Sequence, residues 1–178
     1  MELQKCLETR KSIRKYKDTA VSRDTIKELI KAASLAPSWK NTQVSRYYVA
    51  DGEAKKRFAQ ECLPTFNQNN TQDAPVLMVS TVAKGQSGVV DGRGNKTHLG
   101  EGFSYFDNGL QVQNICLKAT ELGLGTLIMG IYYEAKIREF FDIPETEDVV
   151  AVIAVGYPDI DPDAKPRKEI DEILKFAD

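Results

Sequence analysis

Two nearly uninterrupted apolar runs, at residues 75–82 and 149–155, constrain the fold of this chain more than any other feature of its sequence. Short runs of this kind, rich in valine and bounded by proline or glycine, predict buried strands. No apolar run approaches the roughly 20 residues that a membrane-spanning helix needs, so we expect no membrane partner. The 178 residues suffice for one domain with a substantial core, but not comfortably for two.

Helical periodicity explains much of the remaining chain. Apolar stripes predict helices at 3–9, from the N-cap Ser22 to near Pro37, and at 54–62, 103–122 and 133–141. Residues 46–50 predict another strand, and the amide-rich residues 65–73 predict a loop. The helix at 103–122 is apolar on several sides and should be buried on several sides; in so small a chain, a large subunit interface is one way to achieve this.

The end of the chain, residues 159–178, is predicted to be an extended tail. Pro158, Pro162 and Pro166 keep this part of the backbone extended. An apolar stripe follows and needs another surface to cover it; its members are Ile170, Ile173 and Leu174.

Composition excludes several classes of function. The net charge of −2 gives no general attraction to nucleic acid. The three cysteines are far apart in the sequence, which indicates reduced structural thiols in a cytoplasmic protein. With one histidine, His98, and no paired cysteine motif, a zinc site is not expected. The N-terminus also lacks the apolar core of a signal peptide.

The basic segment, residues 10–16, is the first candidate for binding. If it is extended, Arg10, Ser12 and Arg14 share one side of the backbone and present two guanidinium groups and a hydroxyl to an anion. A second basic group, Lys165 and Arg167, lies near the end of the chain, and the two groups could converge on one phosphate. The alternative is two independent solvated patches.

The polar turn, residues 37–43, is the second candidate. Its side chains Ser38, Asn41 and Gln43 suit a heterocycle with a donor–acceptor edge, such as the pyrimidine of a flavin, although such residues also favour ordinary turns. Gly130 follows an apolar run and could let the backbone approach a planar ring, or could simply end a strand. No nucleophile–base pair is evident, which favours chemistry carried by a cofactor.

The glycine-rich residues 84–102 do not form a phosphate-binding loop. They lack the Gly-Lys-Ser/Thr ending and a helix that begins immediately after a strand. We expect a surface loop or lid here, and His98, which lies within it, could be either a surface residue or a general base.

The ordered set of motifs resembles the FMN-dependent nitroreductase family. The resemblance covers nearly the whole chain and rests on residues 10–16, 36–43, 122–126, 143–158 and 165–167. It implies an α+β fold with a central, mainly antiparallel β-sheet flanked by helices, in an intertwined homodimer with two FMN sites at the interface. The chain would be one FMN-binding domain, residues 1–178, with residues 159–178 as an extended C-terminal tail.

The same resemblance implies which residues bind FMN. The phosphate and the polar edge of the flavin would be held by Arg10, Lys11 (through its backbone), Ser12, Arg14, Lys165 and Arg167. The partner subunit would supply the polar turn with Pro37, Ser38, Asn41 and Gln43. Met129 and Gly130 would lie against the reactive ring, and Asn67 is a looser match to a polar contact.

The function implied is reduction of an acceptor, such as a nitroaromatic or a quinone, by NAD(P)H in a ping-pong cycle on FMN. Alternatives are a flavin-binding storage or sensor module without turnover, and a narrower flavin-dependent reductase or dehydrogenase. Val44 and Ser45 stand where the family commonly has Pro-Trp, which leaves the identity of the acceptor open. The sequence does not distinguish NADH from NADPH as the donor.

Overall fold

The computed structural model describes residues 2–89 and 97–177 and contains both helices and a sheet. In these ranges the helices are α1 (Leu3–Thr9), α2 (Arg23–Ser34), α3 (Gly52–Cys62), α4 (Thr65–Asn70), α5 (Gly102–Glu121), α6 (Glu134–Phe141) and α7 (Ile170–Ile173), with a 3₁₀ turn at Trp39–Asn41. The strands are β1 (Ser45–Asp51), β2 (Val76–Ala83), β3 (Gly125–Met129) and β4 (Glu147–Gly156). No helix in these ranges is both long and apolar enough to cross a bilayer.

The four strands form one sheet in the order β1-β2-β4-β3, and every neighbouring pair is antiparallel. The two apolar runs of the sequence form its central strands, β2 and β4, where Val79 pairs with Val152. The predicted α+β fold with an antiparallel sheet is therefore confirmed.

Both faces of the sheet are covered, which explains why β2 has no polar–apolar alternation. Leu77 and Val79 point into a core that contains Phe58 of α3 and Ile137 of α6. Their neighbours on β2 point into a second core on the opposite face, with residues of α2 and α5. Since successive side chains of a strand face opposite ways, burial on both sides requires an unbroken apolar run.

Ser22 caps the N-terminus of α2, as predicted. The Ser22 hydroxyl accepts a hydrogen bond from the Thr25 backbone N–H at 3.0 Å. The helix ends at Ser34, and three residues of its apolar stripe are buried, namely Ile26, Leu29 and Ala33. All three cysteines are buried and free, in agreement with their prediction as structural thiols.

The predicted loop at residues 65–73 is wrong, because these residues contain α4. A distant residue stabilises the helix: the buried Lys55 amine donates to the Thr71 and Gln72 carbonyls at 2.7 and 2.6 Å, at the end of α4. The Thr71 hydroxyl also donates to the Asn67 carbonyl. Carbonyl groups that a short amide-rich helix would leave to solvent are thus satisfied within the fold.

Helix α5 and the tail leave apolar surface uncovered in the protomer. Phe106 on α5 is 56% exposed, so the predicted burial on several sides is not achieved within one chain. The tail is mostly irregular apart from α7. A capping box formed by Glu169 and Glu172 stabilises the N-terminus of this helix. The apolar side chains in and after α7 are exposed; they are Ile170, Ile173, Leu174 and Phe176.

Candidate functional site

The basic segment is extended, as its alternation requires. Helix α1 ends at Thr9, and the next residue, Arg10, leaves the helical region with a φ of −59° and a ψ of 119°. Ser12 then forms a parallel bridge with Thr126 at the edge of the sheet, and the Ile13 N–H donates to the Thr126 carbonyl at 2.9 Å. The condition under which Arg10, Ser12 and Arg14 can share one side of the backbone is therefore met.

Packing decides which side of the basic segment faces outward. Ile13 and Tyr16 are buried in the core, whereas Ser12 and Arg14 are exposed. Ile13 lies against Gly125, where a Cβ atom would come within 2.5 Å of the Ile13 Cγ1 atom. Glycine is therefore required at residue 125 for the segment to lie this close to β3.

Backbone hydrogen bonds hold the start of the tail against the end of the basic segment. The Lys17 N–H donates to the Tyr157 carbonyl at 2.9 Å, and the Asp159 N–H donates to the Lys15 carbonyl at 3.1 Å. Further along, the Lys11 amine lies 2.7 Å from Asp161. These antiparallel contacts direct the following residues of the tail back toward α1.

A cavity of about 430 Å³, here called the basic cavity, lies between the basic segment and the tail. Five cationic side chains and two carboxylates line it, together with Ser12 and apolar groups; the charged residues are Glu8, Arg10, Lys11, Arg14, Asp163, Lys165 and Arg167. The structure therefore brings together the two basic groups that are about 150 residues apart in the sequence. Lys11 is among the lining residues, and its amine pairs with Asp161.

The polar turn does not line the basic cavity of its own protomer. It has an unusual backbone, with positive φ angles of 47°, 58° and 51° at Lys40, Asn41 and Gln43. The Ser38 hydroxyl accepts from the Gln43 N–H at 3.0 Å and closes the turn. Pro37, Asn41 and Gln43 are exposed, and Ser38 is half-buried.

Met129 and Asn67 have structural roles in this protomer. Met129 is 4% exposed and belongs to the core of its own protomer, and its expected place against the reactive ring stays a prediction. Asn67 is also buried, and its amide donates to the Ile131 carbonyl at 2.9 Å. It thereby fixes the backbone next to Gly130, which is exposed and has open space where a Cβ would be.

A polar stripe on α5 was missed by reading the sequence. Its four buried residues follow the i, i+3, i+4, i+7 pattern of one helix face; they are Ser104, Asp107, Asn108 and Gln111. Asp107 bonds to the polar turn through the Trp39 N–H, while Gln111 accepts from the Tyr47 hydroxyl on β1. The helical spacing of these polar residues within an otherwise apolar segment was the available signal.

The glycine-rich residues 84–102 are described only in part, and the prediction of a loop or lid at 90–96 lies outside the described residues. His98 is exposed and is not among the residues that line the basic cavity. Among residues 2–89 and 97–177, no cluster of histidine, cysteine or acidic side chains could hold a metal ion.

Burial of Tyr16 makes the folded state less stable at alkaline pH. Its hydroxyl donates to the Ile13 carbonyl at 2.8 Å, and burial raises its pKa well above the usual value of 10, despite the opposing charge of Arg14. Burial likewise raises the pKa of Tyr47 to about 12. Both tyrosines have a higher pKa in the folded state than in the unfolded state, so their protonated forms contribute to the free energy of unfolding. This contribution is complete below about pH 10 and is lost as the pH rises above it.

We expect Tyr16→Phe to lower the free energy of unfolding by about 1 kcal/mol at neutral pH, because one hydrogen bond is lost. The same variant should lose stability less steeply than the wild type above about pH 10. Urea unfolding at pH 7 and at about pH 10.5 measures both effects. Tyr133→Phe, at an exposed position, is the control, and an unchanged alkaline slope in Tyr16→Phe would contradict the assignment.

Comparison with known proteins gives a consistent result. The sequence model of the nitroreductase family matches residues 7–157. A protein of Archaeoglobus fulgidus, provisionally named NADH dehydrogenase/NAD(P)H nitroreductase, is 31% identical over 88% of this chain and 86% of its own length. The NADPH-flavin oxidoreductase of Vibrio harveyi is 28% identical over 88% of this chain and 66% of its own length.

Solved structures show the same fold. A nitroreductase family protein from Clostridium difficile superposes with a TM-score of 0.81 at 23% identity and covers 99% of this chain and 98% of its own. A Desulfovibrio desulfuricans protein, solved in complex with FMN, superposes with a TM-score of 0.76 at 21% identity and covers 99% of this chain and 98% of its own.

Proposed function

Because the chain belongs to the nitroreductase family, we propose that it is an FMN-dependent oxidoreductase. It passes electrons from NAD(P)H to an acceptor such as a nitroaromatic or a quinone, in a ping-pong cycle. The observation that carries this proposal is the convergence of Arg10, Ser12 and Arg14 with Lys165 and Arg167 on one cavity. A flavin-binding module without turnover is the alternative, and steady-state kinetics separates the two.

The groups that line the basic cavity fit a phosphate monoester. Guanidinium groups offer paired N–H donors that match two phosphate oxygens, while Lys165 adds a point charge and Ser12 a hydroxyl. Cationic side chains outnumber carboxylates in the lining, so a dianion lowers the repulsion among them. Arg10, Ser12, Arg14, Lys165 and Arg167 would therefore hold the phosphate end of FMN.

The polar turn supplies groups suited to the pyrimidine edge of the flavin. Ser38, Asn41 and Gln43 offer hydroxyl and carboxamide groups, and Asn41 and Gln43 are exposed on a backbone of fixed, unusual shape. Strained backbone of this kind concentrates at binding sites, where the surrounding structure holds it in place. When bound, FMN supplies a ring that accepts hydride and passes electrons on, and the open space at Gly130 leaves room beside it.

A homodimer completes this site in our proposal. The polar turn does not line the basic cavity of its own chain, so a second copy would supply it. The exposed apolar side chains of the tail and of α5 provide the surface for such an association, since contiguous exposed apolar groups mark interfaces. A cytoplasmic location, expected from the reduced cysteines, stays a prediction.

Visible absorption of the purified protein, followed by titration of the apoprotein with FMN, tests the proposal. We expect a bound flavin spectrum, bleaching of this spectrum by NADH or NADPH without oxygen, and its return on addition of a quinone or nitro acceptor. A protein that neither retains nor binds FMN contradicts the proposal. Binding without reduction by either nucleotide favours the module without turnover.

A further inference from the structure

Asp107 is a fully buried carboxylate that contacts the polar turn. Both of its oxygens accept from the Trp39 N–H, at 3.2 and 3.1 Å. The Ser87 hydroxyl, also fully buried, donates to the Oδ2 atom of Asp107 at 2.6 Å. A buried carboxylate is costly unless its oxygens receive such hydrogen bonds, so its presence here calls for a specific role.

The neighbours of Asp107 on the same face of α5 have different partners. Asn108 bonds to the hydroxyls of Ser45 and Ser80 on β1 and β2, and Gln111 bonds to Tyr47. These two residues therefore attach the helix to the sheet. Asp107, by contrast, hydrogen-bonds to the polar turn.

The polar turn needs such a support because its backbone is strained. Three of its non-glycine residues have positive φ, a costly conformation that persists only where other contacts fix it. Ser38 closes the turn from within by accepting from the Gln43 N–H. The Trp39 N–H is the point at which the turn is attached to α5, and Asp107 is the acceptor there.

We propose that Asp107 is a positioning residue of the flavin site: its carboxylate holds the strained polar turn and thereby places Asn41 and Gln43 for binding. Ser87 orients the carboxylate through its hydroxyl. This inference rests on the proposed function, since it assigns Asp107 to binding of the same FMN. Asp107 itself touches no cofactor in this scheme and acts through the turn.

The test compares Asp107→Leu with Gln111→Leu, a matched change one helical turn further along the same buried stripe. Both variants lose a buried hydrogen-bonding side chain from α5, so both should lower the unfolding midpoint of the apoprotein. We expect Asp107→Leu to raise the Kd for FMN about ten-fold or more, because the Trp39 N–H loses a charge-assisted hydrogen bond. Gln111→Leu should change the Kd by less than about three-fold, and Asp107→Asn, which keeps one acceptor oxygen, should restore most of the affinity.

Trp39 is the single tryptophan of the chain, so its fluorescence reports on the turn without labelling. We expect Asp107→Leu, but not Gln111→Leu, to shift the Trp39 emission of the apoprotein and to speed exchange of the Trp39 amide. A double-mutant cycle with Gln43→Ala adds a second criterion. If Asp107 acts through the turn, adding Gln43→Ala to Asp107→Leu should weaken FMN binding less than it does in the wild type.

The two proposals fail in different ways. Wild-type protein that does not bind FMN overturns the proposed function, whatever the variants do. Wild-type protein that binds FMN, with an equal Kd in Asp107→Leu and Gln111→Leu, overturns the positioning role alone. Additive effects in the double-mutant cycle also overturn it, because they show that Asp107 and Gln43 contribute independently.

Discussion

Arg14→Met is expected to raise the Kd for FMN about 10- to 100-fold, since a hydrogen bond to a charged group contributes roughly 1.5–3 kcal/mol. Arg14 lies on the basic segment, lines the basic cavity and faces away from the core that holds Ile13 and Tyr16. Methionine keeps much of the length of the side chain but removes its charge and its donors. Fluorescence titration of the apoprotein with FMN at fixed ionic strength measures the change.

Lys15→Met is the matched control for this prediction. It removes one positive charge from the adjacent residue, which is exposed but does not line the basic cavity. Its backbone carbonyl, which holds the tail through Asp159, is unaffected by the change. We expect less than about a three-fold effect, because exposed charges at a distance are screened by salt. Equal losses in both variants would mean that general charge, rather than the guanidinium of Arg14, drives binding.

The central strands could be predicted from sequence because burial on both faces leaves a strong pattern. Strands β2 and β4 carry apolar residues at nearly every position, and the two cores on either side of the sheet require this. In β3, by contrast, an apolar pattern does not indicate which side chains face the core and which face outward. The last three residues of this strand are all apolar, so nothing in them indicates that Met129 is buried while Ile128 is 50% exposed.

Helix α4 and the support of the polar turn could not be predicted, because each depends on a residue distant in sequence. Lys55 supplies the contacts at the end of α4, and Asp107 holds Trp39 from 68 residues away. The chemistry of the two basic groups left open whether they meet, and the family resemblance implied that they do. The physical cause of their meeting, the pairing of the tail with Lys15 and Lys17, consists of backbone hydrogen bonds that leave no side-chain signal.

The apolar tail gives the prediction with the largest effect on assembly. Ile173 and Phe176 are 66% and 82% exposed in the protomer, where they lack a covering surface. Burying a side chain of this size stabilises an interface by roughly 1.5–3 kcal/mol. We expect the double variant Ile173→Asp/Phe176→Asp to weaken the proposed homodimer by more than 100-fold in Kd, because both burials are lost and charges enter an apolar contact. Analytical ultracentrifugation across a dilution series measures this constant.

Lys175→Ser serves as the control, since Lys175 lies between the two altered positions and its amine donates to the Asp171 carbonyl of its own chain. It should leave the dimer constant within about three-fold, as exposed polar changes usually do. If the partner supplies the polar turn, the monomeric double variant must also bind FMN more weakly, although its basic cavity keeps every charged residue. A monomer with wild-type FMN affinity would show that one chain completes the site, and a persistent dimer would show that the tail does not form the interface.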